Sequence, residues 1–187
     1  MRKLVHFVAF AFIGALIFSG CLTVEKKIYY FKLHKDGSGE GKIIYENILS
    51  QDEDEKDVSL QDFQTLIDEY LEGTAFEEQN KNFKVTEKRL YEKDGKLCGE
   101  VKFTFDRPED AGLIRDENCE CAPYYLFTGS LGEEVIETNG ENLEKTRGVP
   151  VIRWAPDTRE FTFTTRVGDT KGTHPLVELY REWRKDK

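Results

Sequence analysis

The chain has little of what catalysis is usually built from. Of its 187 residues three are histidine and four are cysteine, and one histidine, His6, falls inside the apolar N-terminal stretch. No serine stands in a Gly-x-Ser-x-Gly turn, which excludes the nucleophile elbow of α/β-hydrolases. There is no Gly-rich phosphate loop and no His-Glu-x-x-His pair, which removes P-loop nucleotide chemistry and the common zinc-protease arrangement. Prolines number five and do not cluster. No internal repeat or heptad register runs through the chain, so solenoid and coiled-coil architectures drop out as well. Positive charge is also short. Twenty-seven Lys and Arg stand against 36 Asp and Glu, a net charge of −9, whereas a nucleic-acid surface needs clustered cations to neutralise phosphates.

What is present begins at the N-terminus. Arg2 and Lys3 form a short basic region, residues 4–18 are apolar except for His6 and Gly14, and Phe18-Ser19-Gly20-Cys21 places small residues before a cysteine. That order of charge, short apolar run and small-residue site is the order of a secretory signal. As a helix the fifteen-residue run would reach roughly 23 Å, short of a ~30 Å hydrocarbon core. The alternatives, an uncleaved membrane anchor or a buried core helix, leave the cysteine directly after Ser-Gly without a reason.

Phe18-Ser19-Gly20-Cys21 resembles the lipobox of bacterial lipoproteins, with Phe18 in place of the favoured Leu. The resemblance implies that residues 1–20 are removed, that the Cys21 thiol carries a diacylglyceryl group, and that fatty acyl chains such as palmitate hold the protein to a membrane. Two or three such chains anchor stably without spanning. It places the protein in the cell envelope on the extracytoplasmic side, and Leu22 after the cysteine resembles cargo sent to the outer membrane where the cell has one. Removing 20 of 187 residues leaves 167, and losing Arg2 and Lys3 takes the net charge to −11. Residues 21–27 are expected to be a short tether and residues 28–187 a single domain, large enough to bury a core.

Along that domain, residues 28–34 and 42–47 read as strands around the Asp36-Gly37-Ser38-Gly39 turn. Ser59 is expected to cap a helix whose apolar stripe is Leu60, Phe63, Leu66, Ile67, Tyr70 and Leu71, with Gly73 stopping it. Residues 83–93 and 96–105 flank Asp94-Gly95, the signal for a two-residue type I′ turn. That register pairs Arg89 with Glu100 and Glu87 with Lys102 on one face and puts Leu97, Val101, Phe103 and Phe105 on the other. Residues 106–114 read as a loop or short helix. Residues 124–128, 134–138, 151–154 and 160–167 read as further strands, and Thr173-His174-Pro175 as the opening of a C-terminal helix. The expected class is α+β: a largely antiparallel sheet of about eight strands with two packed helices, one mid-chain and one C-terminal. The element order and the Asp36–Gly39 turn resemble the LppM-like envelope lipoproteins, a likeness that implies a link to envelope glycolipids.

Three constellations remain. Cys98, Cys119 and Cys121 lie outside a reducing compartment if the chain is exported. A bridge from Cys98 to Cys119 or Cys121 would close a loop worth about 3 kcal/mol, against three free thiols or a three-thiolate metal site as alternatives. The acidic run 52–57 lacks the ligand spacing and glycine of a calcium loop, since Lys56 takes a ligand place, and reads as solvated loop. The doubled aromatics Tyr29-Tyr30 and Tyr124-Tyr125 each put one ring on either face of a strand. Helices are expected to cover the second face, the alternative being an aromatic groove for a ligand or partner strand. With no metal, cofactor or catalytic set implied, the sequence favours an accessory protein-interaction or scaffolding role. A hydrophobic or glycolipid ligand held between sheet and helices comes second, and an envelope hydrolase last.

Overall fold

The structure, a computed structural model, describes residues 21–187 except 117, 169 and 186, so the expected leader, residues 1–20, lies outside the described residues. The fold is α+β, with ten strands and four short α-helices among the described residues. The strands are β1 Leu22–Leu33, β2 Gly39–Gln51, β3 Lys84–Lys93, β4 Lys96–Phe105 and β5 Tyr124–Phe127, followed by β6 Glu134–Thr138, β7 Glu141–Asn142, β8 Val151–Trp154, β9 Glu160–Arg166 and β10 Thr173–Pro175. The helices are α1 Ser59–Thr65, which continues as a wider π-type turn over Leu66–Leu71, then α2 Ala75–Gln79, α3 Leu143–Arg147 and α4 Val177–Lys185.

The main sheet runs β3-β4-β2-β1-β9-β6, with β10 paired to the end of β2. A smaller sheet runs β5-β8-β7. Every pairing is antiparallel. The β3–β4 hairpin has the register its charges require. Glu87 lies opposite Lys102 and Arg89 opposite Glu100, and both Asp94 and Gly95 take positive φ, as a type I′ turn demands.

One face of the main sheet is the core. Tyr29, Phe31, Leu33, Ile43, Tyr45, Phe103, Phe105, Phe161 and Phe163 point into it. Gly39 and Gly41 leave space there for rings: a Cβ on Gly41 would meet Phe103 ring carbons at 2.7 and 2.9 Å. Helices α1 and α4 cover one end of this face through Phe63, Leu66, Ile67, Leu176 and Tyr180. The small sheet covers the other, where the Tyr124 and Trp154 rings meet the edge of Phe161 at 5.1 and 5.3 Å. The opposite face is not covered by helices as expected. It carries half-exposed Tyr30 and Lys42, with the Lys42 ammonium 5.6 Å from the Tyr30 ring centre, and cross-strand ion pairs. An antiparallel sheet tolerates water on one side.

Three expectations are corrected. The tether is absent: residues 22–27 are the first half of β1, with Leu22 and Val24 buried. Their charged neighbours hid the strand, because the inward set shifts at Glu25–Lys26 from Leu22 and Val24 to Lys27, Tyr29, Phe31 and Leu33. Thr173–Pro175 is a strand, β10, and not a helix opening; it takes the edge of β2 at residues 49–51, beyond Glu46 where the β4 pairing stops and Asn47 turns to φ 61°. Pro175 fits there because an edge position asks for no ladder N–H. In α1, Leu60 is 72% exposed and Asp62 is buried in its stead. The Ser59 side chain caps nothing; its N–H donates instead to Asp57 Oδ1 at 2.8 Å.

Candidate functional site

Cys21 is the first of the described residues. Its carbonyl accepts the Gln51 N–H at 2.7 Å, and its own N–H points to Asp62 Oδ1 at 3.4 Å. The second oxygen of Asp62 accepts the Ser50 hydroxyl at 2.6 Å. Partial burial pushes the Cys21 thiol up, and the carboxylates of Asp62, Glu53, Asp52 and Asp54 push it further. The acidic loop is thus not merely solvated: Asp52 Oδ1 holds His174 Nε2 at 2.7 Å, which fixes the loop beside Cys21. Asp62 went unread in the sequence because it interrupts the expected apolar stripe one residue from Phe63. A polar residue at the edge of a helix stripe is the only signal that marked it.

The cysteines do not pair as expected. Cys119 and Cys121 are bonded to each other, and Cys98 is a free thiol buried in β4. The Cys98 bridge fails because Cys98 is shut in against its cross-strand neighbours Tyr91 and Glu46. Burial also pushes its thiol up. A three-thiolate metal site fails with it, since two of the three sulfurs are consumed in the bridge. Among the described residues no trio of His, Cys, Asp or Glu is placed to hold a metal.

The tyrosine pairs split across their strands, but only half of them reach a surface. Tyr29 and Tyr124 are core residues, 3% and 2% exposed, so they are withdrawn as surface candidates. Tyr30 and Tyr125 are half-exposed, on different sheets. No aromatic groove joins them.

Two other surfaces stand out. On the small sheet, Tyr125 pairs with Ile114 through an isolated bridge, and Phe127 lies opposite Val151. Ile114 and Phe127, with Val149 beside the end of β8, are three of the four exposed large apolar side chains among the described residues. Single exposed apolar residues are ordinary, but a cluster on one face marks a contact surface. At the β1–β2 turn, a pocket of about 350 Å³ is lined by His34, Lys35, Arg115 and Arg159 together with the carboxylates Glu120 and Asp157. Among the described residues no carboxylate pairs with Lys35, Arg115 or Arg159, and the Arg115 guanidinium lies 4.9 Å from the Tyr124 ring centre. These cations could hold an oxyanion. The pocket lies at the opposite end of β1 from Cys21, and twelve strand residues extend roughly 36 Å.

Among the described residues no helix is long and apolar enough to cross a membrane. No family model, curated protein or solved structure matches the chain.

Proposed function

We propose that this chain is a lipid-anchored accessory protein of the bacterial cell envelope, held outside the cytoplasm through Cys21, whose domain docks another envelope protein. The anchor reading is supported by the lipobox-like Phe18-Ser19-Gly20-Cys21 and by the start of β1 at the very next residue. The docking reading is carried by one observation: Ile114, Phe127 and Val149 gather around the small sheet while the rest of the described surface exposes only one other large apolar side chain, Leu60.

A hydrophobic or glycolipid ligand between sheet and helices is the weaker reading. The space there, between Tyr45, Ile48, Val101 and the helical residues Leu66 and Tyr70, amounts to about 40 Å³. Ligand cavities usually run to about 300 Å³ or more.

Affinity purification of the full-length protein from cross-linked envelopes, followed by native mass spectrometry, tests both. Cys21→Ser is expected to leave the membrane fraction. Phe127→Asp is expected to stay membrane-bound and to lose a polypeptide that the wild type captures. Recovery of the same polypeptides with Phe127→Asp, or a stoichiometric small molecule on an otherwise bare wild-type chain, overturns the docking reading.

A further inference from the structure

Asp62 is a buried carboxylate with no cationic partner among the described residues. It is 4% exposed, and its partners among the described residues are two neutral donors, the Ser50 hydroxyl and the Cys21 N–H. The first turn of α1, where Asp62 sits, offers it some positive partial charge. That offsets only part of the cost of burying a full charge without a counterion. Ordinarily such a carboxylate is matched by Lys, Arg or His. Here one of the two donors, 3.4 Å away, is a backbone nitrogen, and it belongs to the residue at which the chain is expected to be cut.

We propose that cutting the chain before Cys21 supplies the missing cation: the new α-ammonium of Cys21 seats on Asp62 and ties the anchored end to the fold. This deepens the anchor reading and rests on it. Hydrolysis of the Gly20–Cys21 peptide bond adds one water across it. Gly20 leaves with a carboxylate, and the Cys21 nitrogen, now a primary amine, is protonated at neutral pH because an α-amino group titrates near about 7.7–8.0. The peptide N–H that stood 3.4 Å from Asp62 Oδ1 is thereby replaced by three charged donors at the same place. No rearrangement is needed, since the Cys21 carbonyl is already fixed by Gln51 and Leu22 already belongs to β1. Asp52, Glu53 and Asp54, which act on the Cys21 thiol, add to the negative field that holds the ammonium. A fatty acyl group on this nitrogen would turn it back into a neutral amide and undo the pair. The structure therefore assigns the mature Cys21 a free amino terminus, with its acyl chains on the thiol side alone.

The test compares the mature protein, extracted from membranes, with the precursor retaining residues 1–20, in the same detergent, each with and without Asp62→Asn. Intact mass comes first. A leader still present on the exported protein sinks the anchor reading itself. A leader removed but three acyl chains present leaves that reading standing and overturns the ion pair alone. With leader removed and two chains present, Asp62→Asn is expected to lower the mature unfolding midpoint by about 10 °C, as loss of one member of a buried pair does in a chain of this size. In the precursor the same substitution should change little or raise the midpoint, because there it removes an unmatched charge. Equal shifts in both forms overturn the inference. Should Asp62→Asn fail to fold in both, wild-type amine reactivity decides. A seated ammonium protects the α-amine from an acylating reagent at neutral pH by about tenfold or more, the equivalent of one pKa unit. An α-amine as reactive as in the unfolded chain overturns the proposal.

Discussion

Lys27 is 2% exposed, and its ammonium sits 2.5 Å from the equally buried carboxylate of Glu133. Thr165 donates its hydroxyl to the same carboxylate at 2.5 Å, and Tyr29 approaches it at 3.5 Å. This polar knot lies on the core face of the sheet, closed to solvent, and organises the core. Lys27→Met is expected to cost about 3–5 kcal/mol, because Glu133 is left charged and buried without a cation. The double variant Lys27→Met, Glu133→Met should recover most of that loss. Urea unfolding of the three proteins measures it, and a double variant as unstable as the single would show that packing, not charge, holds the site. The sequence could not reveal this pair. Lys27 follows Glu25 and Lys26 in what reads as a solvated charged stretch, and its partner is 106 residues away. Cys98 misleads in the same way. By alternation it shares the charged face of β4 with Glu100 and Lys102, yet long cross-strand neighbours bury it. Burial of a small residue by its neighbours leaves no periodic trace.

At the scale of elements, the β3–β4 hairpin was legible to the residue because two independent signals agreed. Asp94-Gly95 fixed the turn, and opposite charges fixed the pairs, with Arg89 Nε 2.9 Å from Glu100 and Lys102 Nζ 2.7 Å from Glu87. The bulge between Val85 and Glu87 carried no such signal. Nor did β7 at two residues, α2 and α3 at five each, or β10 at three, since so short a segment spans less than two repeats of any period. Gly95 has φ 73° and open space around its Cα, so an added methyl group meets no atom and only the backbone conformation is penalised. Gly95→Ala is therefore expected to destabilise by about 1–2 kcal/mol, the cost of a left-handed alanine. The measurement is the urea midpoint at unchanged slope. A neutral Gly95→Ala would mean that the turn relaxes and the register is held by the charge pairs alone.

At the scale of the whole molecule, Cys21 and the pocket at the β1–β2 turn sit at opposite ends of one twelve-residue strand, so under the proposed anchor, with no tether in between, the attitude of the domain on the membrane is a property of β1. Between those ends the core face is held partly by groups that must stay neutral. Tyr29 and Tyr45 are enclosed beside Glu133, and burial first, then the Glu133 charge, pushes both phenols well above the ordinary value near 10.0. In the unfolded chain the same phenols lose their protons at that ordinary value. Above it the native state binds more protons than the unfolded one, so stability falls as pH rises. The contribution of each phenol is whole below pH 10 and is lost as pH climbs from there toward the raised native value, at about 1.4 kcal/mol per pH unit. Tyr45→Phe keeps the ring and removes the titration. Its stability between about pH 10 and 11 should therefore fall less steeply than that of the wild type, by about 1 kcal/mol over that unit, since the unfolded phenol is only half ionised at its start. Parallel curves for the two proteins would mean that Tyr45 ionises in the folded state, and hence that water reaches the centre of the sheet.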